Sequence, residues 1–116
     1  MKKVSFEGFD AKYLTFRAAE NSNFKKGDFV ELDNNGCVKA ASAGEITGKC
    51  VDINGELVTV QVSGYMTGKM ADNIFFAPGR RHISLNSSGK LELDSSADSV
   101  LVTFTDTDNA TVGFIL

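Results

Sequence analysis

Residues 46–63 read ITGKCVDINGELVTVQVS, and this stretch decides the fold class. Val58, Val60 and Val62 fall on one side of the extended chain, and Thr59, Gln61 and Ser63 fall on the other. That period of two is the signature of a β-strand with one buried face. Asn54-Gly55 interrupts two extended runs with the dipeptide best suited to a type I′ hairpin, because both central residues of that turn need positive φ. An antiparallel hairpin is therefore expected here.

Upstream the same grammar continues. Residues 13–17 (YLTFR) read as a first strand and 18–23 as a polar connection. Gly27-Asp28 turns the chain into residues 29–33, where Phe29 and Glu31 share one face and Val30 and Leu32 the other. Asn34-Asn35-Gly36 closes a loop into the strand 37–40, since Asn and Gly tolerate left-handed backbone. Downstream, 64–73 holds two glycines, two methionines and Lys69, and reads as a junction with at most a turn or two of helix at 70–73. Strands follow at 81–85, 90–93, 100–105 and 111–116, with loops at 86–89 and 106–109.

Laid side by side, the two halves repeat. Phe24-Lys-Lys-Gly27 matches Phe76-Ala-Pro-Gly79, and the loop ending at Gly36 matches the loop ending at Gly89 after a one-residue shift. Residues 46–62 lie over 100–116 without a gap, which sets Asp52 over Asp106, Asn54-Gly55 over Asp108-Asn109, and Val58 and Val60 over Val112 and Phe114. The expected architecture is all-β: a small β-barrel or two-sheet sandwich built from two pseudo-repeated antiparallel units that close over one core. A mobile N-terminal arm spans residues 1–12, and a single β domain spans 13–116. Its first half covers about 13–66 and its second about 74–116.

Composition fits that class and narrows the function. The chain has 116 residues, 11 glycines and one proline, 42% apolar and 23% charged side chains, values ordinary for one folded domain with many tight turns. Net charge is −3 with no long basic run, which argues against nucleic acid as a partner. No apolar run approaches the ~20 residues of a membrane span, and the charged start lacks the apolar stretch of a signal peptide, so synthesis and retention in a cytoplasm are expected. Cys37 and Cys50, with twelve residues between them, read as buried thiols.

Reactive constellations are missing from the sequence, and no enzyme activity, metal or cofactor is expected. His82 is the single histidine and alternates with Ile83 and Leu85, which turns it outward. No GxSxG or phosphate-loop spacing occurs. Asp106-Thr-Asp108 opens like a calcium loop, but Ala110 and Thr111 stand where oxygen ligands and glycine are needed, so it reads as a turn. The carboxylate pairs Asp94/Asp98 and Glu31/Asp33 read as solvated charges.

The order of Phe24, Gly27, Asp28, Val30, Gly36, Gly48, Val58, Val60 and Val62 resembles the capsid cement, or head decoration, proteins of tailed bacteriophages. Those proteins carry a mobile start, a Phe-x-x-Gly-Asp-x-Val strand, an Asn/Gly loop and a closing Val-x-Val strand. This sequence departs from them in placing Arg80-Arg81-His82 after the second glycine. The resemblance implies a non-enzymatic virion protein, made in a bacterial cytoplasm, that binds the major capsid protein on the outer surface of an assembled phage capsid as a homotrimer and stabilises it. It also implies capsid contact by the arm, for which Lys2, Lys3, Phe6 and Phe9 are the candidates. Two other readings stand beside it. One is a lipoyl- or biotinyl-like carrier modified at Lys69, and the other is a small carbohydrate-binding or tail-associated module stacking sugars on Tyr13 and Tyr65.

Overall fold

The computed structural model describes residues 11–71 and 75–116. Within them the chain forms ten strands and no helix: β1 (Lys12–Arg17), β2 (Phe29–Leu32), β3 (Val38–Ala40), β4 (Gly48–Asn54), β5 (Leu57–Ser63), β6 (Tyr65–Lys69), β7 (Gly79–Leu85), β8 (Leu91–Leu93), β9 (Ser99–Asp106) and β10 (Thr111–Ile115). Two antiparallel five-stranded sheets pack as a sandwich, in the orders β1-β5-β4-β2-β3 and β6-β10-β9-β7-β8. Adding five to every label of the first order gives the second. The chain is thus one five-stranded unit used twice.

The duplication extends to single residues. Asp33 Oδ1 accepts the amides of Asn35 (2.8 Å) and Cys37 (2.9 Å), and Asn86 Oδ1 accepts those of Ser88 (2.8 Å) and Lys90 (3.0 Å). Both loops then turn at a glycine with φ of 76°, Gly36 in one and Gly89 in the other. These are Asx-turns, in which a short side chain replaces the backbone acceptor. At the far corner of each unit a parallel bridge, Ala18 to Val38 or Met70 to Leu91, brings the two ends of the sheet together. Each sheet therefore curls around its own interior.

The hairpin register corrects the gapless superposition. In the first unit Cys50 pairs with Val60 and Asp52 with Thr59, leaving Val51 as a bulge. In the second, Val102 pairs with Phe114 and Phe104 with Gly113, leaving Thr103 as the matching bulge. Val58 and Val60 do correspond to Val112 and Phe114. The incoming strands, however, are offset by two further residues, so Asn54, not Asp52, stands over Asp106. Loop length is the cause: Asn54 pairs with Leu57 around a two-residue loop, whereas Asp106 pairs with Thr111 around a four-residue one. In the short loop Gly55 alone has positive φ (62°), the pattern of a type II′ rather than a type I′ turn.

Two further expectations change. The junction at 64–73 contains β6, the counterpart of β1, so the second unit begins at Tyr65 instead of near residue 74. Its sequence, YMTGK, hides a strand because glycine is unfavourable in one, yet a Cβ at Gly68 would lie 2.8 Å from both the Phe29 ring and Leu91 Cδ1. Close packing demands the glycine that obscures the pattern. The interior is also two clusters in place of one. Val30, Val38, Cys50, Val58 and Val60 fill the first unit, and Met66, Phe76, Leu85, Leu91, Val112 and Phe114 dominate the second.

β2 is the wall between them. Its alternation sends Val30 into the first cluster and Phe29 across into the second, where the ring stacks on Phe114 at a centroid distance of 6.4 Å. Main-chain pairs also stitch the units together. Gly44 and Leu85 exchange hydrogen bonds of 2.9 and 2.7 Å, and Gly64 and Leu116 exchange bonds of 3.1 and 2.9 Å.

Candidate functional site: a strand edge and a seam cleft

Strands β1 and β6 occupy the same place in their units but meet different fates. In β6 the Gly64–Leu116 exchange fixes the phase of the ladder with β10, so the main-chain groups of Tyr65 and Thr67 point away from β10. Side chains of the first unit cap them. Gln61 Nε2 donates to Tyr65 O at 2.8 Å, and Lys49 Nζ donates to Thr67 O at 2.6 Å. This explains why Gln61, on the polar face of β5, is only 7% exposed. The second unit covers the outer face of the first sheet at Phe29, Lys49 and Gln61.

No such cap protects β1 among the described residues. Ala18 N donates to Glu56 O and Ala19 N to Val38 O, which sets the alternation: Leu14 and Phe16 address β5, and Tyr13, Thr15 and Arg17 direct their N–H and C=O groups outward. Tyr13 and Leu14 are each 53% exposed, and every residue of β1 except Phe16 is exposed. Arg17 bonds Glu56 of the β4–β5 turn at 2.7 Å, with both side chains in solvent. An edge of this kind is a template for a further strand.

The second feature is a cleft of about 560 Å³ along the seam, with Lys49, Lys69, Lys90 and Asp28 among its lining residues. Lys49 reaches over from β4, its ammonium 6.0 Å from the Phe29 ring centroid, and burial pushes its pKa below the usual lysine range. Lys69 Nζ donates to Asn109 O (3.0 Å) and Thr111 Oγ1 (3.1 Å). Lys69 ends a strand opposite Thr111; it does not stand at a hairpin tip, where a carrier lysine is presented for modification.

The remaining sequence candidates have structural partners. His82 faces outward, with Nδ1 2.7 Å from Ala97 O. The Asp106 carboxylate accepts the amides of Asp108 and Asn109 and so closes its turn. Glu31 pairs with Lys39 (3.8 Å) and accepts from the Ser42 hydroxyl (3.2 Å), while Asp33 caps its loop. Asp94 accepts the Ser96 hydroxyl and amide, and these bonds hold its carboxyl below the usual range. Cys37 is half-buried and Cys50 buried, both are free thiols, and burial pushes the Cys50 thiol up. Among the described residues no three His, Cys, Asp or Glu side chains cluster as metal ligands, and no helix is long and apolar enough to cross a membrane.

Lys2, Lys3, Phe6 and Phe9 lie outside the described residues. The seam lysines were not legible as a group: Lys49 lies in an extended run, and nothing in the sequence says that its face is covered. No family model matches the chain, and no curated protein matches it.

Proposed function

We propose that this chain is a structural protein of a tailed-phage virion, binding the outer surface of the assembled capsid through the free edge of β1 and stabilising the shell without catalysis. The supporting observation is the unequal treatment of equivalent strands: β6 has its outward carbonyls capped by Lys49 and Gln61, whereas among the described residues nothing caps the main chain of β1, which is flanked by exposed Tyr13 and Leu14. A strand of the major capsid protein added there gains main-chain hydrogen bonds, with the half-exposed apolar side chains contributing contact area. Lys2, Lys3, Phe6 and Phe9 immediately precede this edge in sequence and are the proposed further contacts. Stabilisation follows from mass action, since a subunit that binds only the finished lattice lowers its free energy at every occupied site. A homotrimer would multiply that effect by avidity.

Thr15→Pro tests the edge. Thr15 directs its N–H away from β5, so proline removes an outward donor without breaking the ladder inside the sheet. Co-sedimentation with undecorated capsids of the encoding phage or prophage should show saturable binding by the natural chain. At least tenfold weaker binding is expected for Thr15→Pro, and a rise in capsid melting temperature only with the natural chain. Equal binding by both proteins rules out edge addition, and no binding by either overturns the capsid reading. Sedimentation velocity reports whether the free protein is a trimer.

A further inference from the structure

The seam cleft carries a charge pattern opposite to that of the molecule around it. The protein has net charge −3, yet the cleft is lined by three lysines and one aspartate. Two of the lysines are held in place by neutral oxygens. Lys49 Nζ is bound by Thr67 O at 2.6 Å and more weakly by Thr67 Oγ1 at 3.4 Å, and Lys69 Nζ is bound by Asn109 O and Thr111 Oγ1. An ammonium has three N–H donors, so each retains one beyond these contacts. No carboxylate neutralises Lys49 or Lys69 among the described residues.

Both lysines line the same cleft. Thr67, which anchors Lys49, and Lys69 are two residues apart on one face of β6, about 7 Å along the strand. Both side chains are fixed by hydrogen bonds before any ligand arrives, so little rotamer entropy remains to be lost on binding. Burial makes the uncompensated Lys49 charge unfavourable, and a bound anion relieves that cost. Beside the lysines, Phe29, Ala40 and Ala41 form a wall that carries no charge.

We propose that the cleft is an oxyanion site of the phosphate class, in which Lys49 and Lys69 each donate to a different oxygen of one dianion. Two point charges on separate side chains suit a tetrahedral dianion better than a single carboxylate, which carries half the charge. A cleft of about 560 Å³ exceeds the need of bare phosphate and lies within the range of small-molecule sites, so the uncharged wall accommodates an organic body on a phosphate monoester.

The test is a titration of the ¹⁵N-labelled full chain at neutral pH with inorganic phosphate, with phenyl phosphate, and with chloride at matched ionic strength. Saturable shifts of the Gly68, Gly89 and Thr111 amides are expected with both phosphates and not with chloride. Tighter binding of phenyl phosphate identifies a monoester as the fitting form, and equal binding identifies free phosphate. Lys69→Met should weaken binding about tenfold or more, since a charge-assisted hydrogen bond is lost. Lys49→Met should do the same; if it fails to fold, the exposed Lys69 decides alone. Shifts that do not saturate, that chloride reproduces, or that persist unchanged in Lys69→Met overturn the proposal.

Discussion

Phe29→Ala should loosen the half of the molecule to which Phe29 does not belong by sequence. The side chain is 7% exposed and packs with Met66, Phe76, Leu91 and Phe114 in the second cluster, although it stands on a strand of the first sheet. Truncating a buried Phe costs about 3–5 kcal/mol, comprising lost transfer free energy and an incompletely collapsed cavity. A domain of this length has about 6–17 kcal/mol in total, so about a sixth or more of the stability is at stake. Val30→Ala on the next residue removes two methyl groups from the first cluster, at about 2 kcal/mol. Urea unfolding measures both costs, and native-state hydrogen exchange localises them. Phe29→Ala should speed exchange most at the amides of Val102, Val112 and Phe114, and Val30→Ala most at Cys50, Val58 and Val60. A loss below about 1 kcal/mol for Phe29→Ala, or acceleration spread equally over both units, would refute the assignment of Phe29 to the second interior.

The same seam makes Gly68→Ala unfavourable: a methyl group 2.8 Å from the Phe29 ring and Leu91 Cδ1 should cost about 1–3 kcal/mol by urea midpoint. Asp33→Ala and Asn86→Ala should each cost about 1–3 kcal/mol, because each removes the acceptor of two loop amides; closely similar losses would express the repeat energetically. Asp94 has its pKa lowered by the Ser96 hydroxyl first and the Ser96 amide second, so the unfolded chain binds its proton more readily than the folded one. Its stabilising contribution is present above the ordinary carboxylate range and fades as pH falls through the lowered native value. The gap between the natural chain and Asp94→Ala should therefore narrow from pH 7 to pH 2.5 in chemical denaturation, and a constant gap would contradict the sign. Lys49 is depressed by burial, so the unfolded chain keeps its proton to higher pH than the folded one; stability should rise with pH just below the ordinary lysine range, by less in Lys49→Met.

Legibility in the sequence followed the strength of local signals. The run 57–63 announced its strand because alternate valines face a closed interior, and Gly27, Gly36, Gly79 and Gly89 marked turns at their observed positive φ. Strand β6 was invisible for the reason that it matters: Gly68 sits where Phe29 and Leu91 press on the backbone, and a strand chosen for close approach loses the side chains that reveal strands. Turn length misled in another way. The bulges at Val51 and Thr103 are conserved between the units in position, but two extra residues at 107–110 offset the strands on either side, which a gapless comparison cannot register. The charged cleft was hidden because it depends on which outer face one unit lays against the other. Periodicity reports that a face is polar and is silent about what covers it.

Duplication alone would leave two equivalent edges, and the differences between the units decide which one stays open. By the hairpin register, the second-unit counterparts of Lys49 and Gln61 are Leu101 and Ile115. Neither can donate a hydrogen bond from its side chain, so the second unit lacks the two groups with which the first caps β6. A further copy of the chain that laid its second unit against β1 would therefore lack both capping hydrogen bonds of the internal seam. Head-to-tail growth through that contact, the hazard of any tandem repeat with a matching surface, is disfavoured by these two differences between the units. Among the described residues β1 keeps its outward main-chain groups while this route of self-association is disfavoured, and that combination is what the proposed addition of a capsid strand requires.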